Sequence, residues 1–304
     1  MWTNLLFSFL ILFSFSTQAQ FGDLTPSTKT ITGATDSTEI GNVGDALKVA
    51  GDPGVAIAPK PFLLAVGEGN VPGYSSVYKF GSNPDIDAGT APEDVWSGGG
   101  AYPWPTSAQT TTIVSTNSND TSAGTGCRTA EVEGLNSSWA LTTQTAIAMN
   151  GTTAVTLGTD LIRVFRAKCL TVGSNGVNIG DLQVKHSSTV LAQIDAGMGQ
   201  TVMAIYTVPA NKTAYLKEWT ASIARSVNGT GNKTAHITLF VRPFGGSWQA
   251  KDTRIILSEG ADGKAEQNYT KMVTEKSDMR VEITDVNTNN TSAVASFFIV
   301  LKDN

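Results

Sequence analysis

The sequence predicts an all-β protein: two β-sandwich or jelly-roll-like domains preceded by an extended Pro/Gly-rich arm. Three observations carry this. From residue 106 onward, short β-branched runs recur at roughly 8–12-residue spacing between turn signals. No run has the sustained period of an amphipathic helix. And nine of the eleven prolines lie at or before Pro105, so the earlier part is poorly suited to central strands or long helices.

Residues 1–20, "MWTNLLFSFLILFSFSTQAQ", hold a short apolar core from Leu5 to Phe15. Thr17 and Ala19 then stand where a small-x-small signal cleavage site needs small side chains. No Lys or Arg precedes the apolar core, so an uncleaved apolar arm or an overextended reading frame are the alternatives to a signal peptide. The run is shorter than the about 20 apolar residues that span a bilayer. Residues 21–105 read as an extended or flexible arm. Within it, "NPDIDAGTAPEDVWSGGGAYPWP" sets Trp96, Tyr102 and Trp104 among acids, prolines and glycines.

The first β-domain is placed at 106–198. "TTTIVST", "CRTAEVEGL", "SWALTTQTAIAM" and "LIRVFRAKCLTV" are strand-like, with turn signals at "NSNDTSAGTG", Asn150-Gly151 and "GSNG" between them. The second is placed at 199–304. There "VMAIYTV" and "TAYLKEWTASI" flank "PANK" as an expected hairpin. In "MRVEI", Met279, Val281 and Ile283 alternate with Arg280 and Glu282, the period of a half-buried strand.

Composition narrows the function classes. The formal net charge is −5 and only 15% of residues are charged, which argues against an electrostatic nucleic-acid binder. There are two cysteines, Cys127 and Cys169, and two widely separated histidines, so no zinc spacing exists. The cysteines could close a disulfide in an oxidising compartment, or remain two buried thiols. Asn83, Asp85, Asp87 and Asp94 match positions 1, 3, 5 and 12 of a calcium loop, but Ala88 replaces the glycine that loop needs. Turn-forming acids explain the same pattern. No catalytic motif stands out, and no cofactor is expected. Paired carboxylates for glycan hydrolysis are a matter of spatial distance and leave no mark in the sequence.

Two further clusters bear on surface function. Arg163, Arg166 and Lys168 suggest an anion patch, which strand alternation would split between two faces. Tyr215 and Trp219, with Thr213 and Lys217, would share a strand face, as a sugar-stacking platform or as core or interface.

The runs "KFGSNPDIDAGTAPEDVWSGGGAYPWPTSA", "DTSAGTGCRTAEVEGL", "RVFRA", "GMGQTVMAIYTVPANKTAYL", "VRPFGGSWQ" and "EKSDMRVEI" resemble a family of virion structural proteins of tailed bacteriophages. Many members come from marine podovirus-like phages. The resemblance spans about residues 77–304; the leader and the segment to about Pro72 lie outside it. It implies a non-catalytic virion component (head decoration, fibre or tail-associated) whose partners are other virion proteins and copies of itself. On that expectation Trp96, Tyr102 and Trp104 are interface anchors that lie across a neighbouring subunit; packing onto the first β-domain of their own chain is the alternative. The alternatives are a secreted or periplasmic β-sandwich adhesin that binds glycans, and a glycan hydrolase.

Overall fold

The computed structural model describes residues 60–225, 233–258 and 264–304, with backbone alone for 225 and 264–269. The chain divides into Met1–Glu68 and Gly69–Asn304. In the first, α1 (Phe62–Gly67) is a short helix, entered at Pro61 without a side-chain cap. The predicted leader, and the arm as far as residue 59, lie outside the described residues.

Gly69–Asn304 is built from antiparallel strands, and no helix occurs among its described residues. Four sheets can be traced. The first orders β1 (Tyr74–Ile86), β16 (Thr291–Asp303), β11 (Lys212–Arg225) and β14 (Lys264–Val273). The second orders β10 (Ile205–Thr207), β15 (Asp278–Val286), β12 (Thr234–Arg242) and β13 (Gln249–Leu257), with β2 (Glu93–Asp94) also on β15. The third orders β6 (Val155–Thr156), β3 (Thr111–Ser115), β8 (Leu182–His186) and β9 (Thr189–Ile194). The fourth orders β5 (Leu141–Ala148), β4 (Cys127–Asn136) and β7 (Leu161–Val172).

Alternation explains how the first two sheets pack. On β16, Ala293, Ala295, Phe297, Ile299 and Leu301 turn inward; on β12, Ala235, Ile237, Leu239 and Val241 do the same. With Met279, Val281 and Ile283 of β15 they form one core, so the period read in "MRVEI" is real. A second core gathers Ile113, Val132, Val164, Leu182, Val184 and Leu191 from the third and fourth sheets. Strand β7 serves both, sending Ile162 and Phe165 to the first core and Val164 and Ala167 to the second.

Three local expectations change. The arm is expected to be extended or flexible through residue 105, yet residues 74–86 form a 13-residue strand against β16. Pro84 is tolerated because β1 is an edge strand, and the pairing slips between Asn83 and Ile86. Pro209–Lys212 does not close a hairpin, because β10 pairs with β15 whereas β11 pairs with β14 and β16. The chain changes sheet there, with Asn211 at φ 60° supplying the left-handed step. Nor does Asn150-Gly151 join paired strands, since β4 lies between β5 and β7.

Candidate functional site

The three aromatics of the arm are not free to reach a neighbour. Trp96, Tyr102 and Trp104 are buried in the second core of their own chain. Their rings make successive edge-to-face contacts, Trp96–Tyr102 at 5.4 Å and Tyr102–Trp104 at 4.8 Å, and Trp104 continues to Trp248 at 4.9 Å. Polar atoms fix the run: the Trp96 indole N–H donates to Gly100 O at 3.0 Å and the Tyr102 hydroxyl to Val164 O at 3.0 Å. The expected role as intersubunit anchors is therefore corrected. A segment without regular structure buries these rings by laying them on strands formed elsewhere in the chain.

The acids of the same stretch are also engaged by the protein. The Asn83 amide donates to Glu93 Oε2 at 2.9 Å, and its oxygen accepts Asp85 N–H. Asp87 accepts Asn290 N–H. Asp94 is fully buried, accepts Tyr102 N–H at 2.7 Å and faces Arg280 at 3.4 Å. Burial raises its pKa to about 7, against the lowering by Arg280 and the Tyr102 N–H, while Glu282 adds to the rise. Among the described residues no three His, Cys, Asp or Glu side chains converge as metal ligands. Cys127 and Cys169 are joined as a disulfide between β4 and β7, with Cα atoms 5.8 Å apart.

The basic residues of β7 go to separate partners. Arg166 bonds Gln200, and Lys168 pairs with Glu131. Arg163 is buried and chelates Asp278 through Nε and Nη2. Asp278 also takes Arg242 and the Thr207 hydroxyl. Arg163 reaches Pro105 O as well, so this ionic centre fastens the arm to the second sheet. Stacking of Arg163 and Arg242 on the Trp104 ring, 5.4 and 5.3 Å from its centroid, adds to the hold. Single-residue reading of the sequence does not reach this centre, because its members come from β7, β10, β12, β15 and the arm.

Tyr215 and Trp219 do not share a face. A bulge between Leu216 and Glu218 shifts the register on β11. Trp219 consequently turns into the first core, its N–H on Asp252 at 3.0 Å, while Tyr215 stays on the outer side. There it belongs to a larger surface. Cross-strand rows bring Tyr78 beside Phe298, Phe80 beside Ser296, and Ser82 beside Val294, with Val300 and Met272 flanking Tyr215. Tyr78 is 58% exposed, Val294 46% and Met272 61%. Between them runs a groove of about 370 Å³, walled by Tyr78, Phe80 and Val294 and floored by Ser82, Thr220, Ser222 and Ser296. The sequence signal was available in "FFIV", where each alternating set holds two apolar residues although only Phe297 and Ile299 belong to the first core.

No protein-family model matches this chain, and no curated protein sequence does. Among solved structures, the infectious bursal disease virus VP2 subviral particle is 11% identical, over 76% of this chain and 72% of that one, at a TM-score of 0.21. The structure of the Gt strain of the same virus is 10% identical, over 80% and 81%, at 0.17. Likenesses this small carry no weight for function.

Proposed function

We propose that the protein is a non-catalytic structural component of a tailed-phage virion that acts by assembling with copies of itself. The observation that carries this reading is the outer face of the β1–β16–β11–β14 sheet. Tyr78, Val294 and Met272 stand exposed on it, while the residues that alternate with them along β16 pack in the first core. Large apolar side chains left exposed together on one sheet face are a mark of a protein interface. With 15% charged residues, the chain has little repulsion to keep copies apart. The sequence resemblance over residues 77–304 adds the particle context, as a head decoration, fibre or tail-associated protein.

Two measurements test it. Peptide mass spectrometry on purified virions is expected to find the protein at many copies per particle. Light scattering on the isolated protein is expected to show an oligomer that Tyr78→Glu or Val294→Asp reduces toward monomer while the melting temperature holds. A monomeric wild-type protein that is absent from particles would overturn the reading.

A further inference from the structure

A second surface lies apart from that sheet face. The turn between β4 and β5, the turn between β12 and β13, the turn before β15 and the end of the arm meet around a cleft of about 300 Å³. Aromatic rings form its walls: Trp139 and the 60%-exposed Phe244 stand edge-to-face at 5.4 Å, with Trp104 beside them. Its cations are Arg163, Arg242 and Lys276, and its one acid is Asp278. Because Asp278 is shared by both arginines, the cleft keeps an excess of positive charge on a chain of net charge −5. The Lys276 ammonium sits over the Phe244 ring at 5.4 Å and meets no carboxylate among the described residues.

The geometry points to a binding site for an acidic saccharide, a pyranose ring bearing a carboxylate. The exposed Phe244 ring offers an apolar surface to the polarised C–H bonds of a sugar ring, and Lys276 over that ring sets a cation beside it. Lys276 and Arg242 supply the charge-assisted bonds a carboxylate takes. The apolar walls with a few convergent donors match how small-molecule sites are built. Neutral sugars lack the group that the cations require. This site is independent of the assembly reading, since none of its residues lies on the outer sheet face.

The test is a titration of the full protein with trigalacturonate and, in parallel, with neutral maltotriose, read by tryptophan fluorescence and calorimetry. Trigalacturonate is expected to bind saturably, to lose affinity as salt rises, and to exceed maltotriose by about tenfold or more. Phe244→Ala and Lys276→Met are each expected to weaken it by about tenfold, since each removes one of the recognition elements. Both are turn residues, so the melting curve is expected to stay unchanged. No saturable response to trigalacturonate, equal binding of maltotriose, or variants that bind as well as wild type would overturn the proposal. Acid preference and salt dependence are read on the unaltered protein, so they decide the matter even where a variant folds poorly.

Discussion

Several single residues hold this fold by what surrounds them. Gly81 on β1 passes so close to its neighbours that a Cβ would stand 2.1 Å from Val95 O and 2.3 Å from Ala204 N. Both are backbone atoms and cannot swing away, so Gly81→Val is expected to lower the melting temperature sharply or abolish folding. Soluble protein with wild-type melting would contradict this. Asp120 is fully buried and gathers the N–H groups of Cys127, Ile179 and Gly180 together with the Ser115 hydroxyl. Asp120→Asn puts an amide donor where donors already point, and a loss of about 3 kcal/mol is expected in denaturant unfolding. Two buried charges give opposite pH slopes. The unfolded Asp94 ionises near 3.8 but the folded one keeps its proton to about 7, so its share of stability falls as pH rises across that window. Lys79, whose ammonium meets Phe165 O, has its pKa lowered by burial from 10.5 to about 7, with Arg166 adding to the drop and Glu133 opposing it. Unfolded chains then bind the proton that folded ones have released, so its share rises from pH 7 toward 10.5. Lys79→Met is therefore expected to melt above wild type below pH 7, with the gap closing as pH climbs toward 10.5. Melting curves across that range check the sign; a gap that widens with pH would contradict it.

At the level of elements, the limits of the sequence have identifiable physical causes. Strand periodicity was legible wherever polar and apolar residues alternate along a strand, as in β15 and β12, even where the polar face is itself covered, as at Asp278 and Glu282. It failed where the chain departs from that period. The bulge at Lys217 moves Tyr215 and Trp219 to opposite faces, and one inserted residue leaves no mark in composition. Edge strand β1 was missed because Gly81, Asn83, Pro84 and its serines are residues of a loop, and only pairing to β16, far along the chain, makes it a strand. Of the site, the aromatic residues were legible as exceptional, but their destination was not. Their burial depends on Val164, Trp248 and other distant residues. The link between β4 and β7 gives a further test. Cys127 and Cys169 are 42 residues apart, and closing a loop of that length stabilises by about 4 kcal/mol in the chain-entropy account. Cys127→Ala with Cys169→Ala is expected to lose roughly that amount in oxidised samples, and to melt as the reduced wild type does. An unreduced wild type that shows two free thiols would contradict it.

At the scale of the whole molecule, the role of residues 69–106 separates two accounts of the arm. If the arm served only to reach a neighbouring subunit, removing it would leave the rest of the chain folded. The structure instead runs it through both cores. It supplies β1 to one sheet and β2 to another, places Ile86 and Val95 in the first core, and places Trp96, Tyr102 and Trp104 in the second. Loss of each buried aromatic costs about 3–5 kcal/mol in a well-packed core. Three of them, without counting β1, approach or exceed the about 5–15 kcal/mol that holds an ordinary domain together. A chain beginning at Ser107 is therefore expected to be unfolded or to melt far below wild type. A chain beginning at Gly69 keeps every one of these contacts and is expected to melt as a cooperative unit. It also keeps Tyr78, Phe80, Val294 and Phe298 on the outer sheet, so its self-association is expected to match that of the full protein in light scattering. Should the chain from Ser107 melt unchanged and lose only its oligomeric mass, the arm would act as an assembly strap, and its burial within its own chain would be refuted.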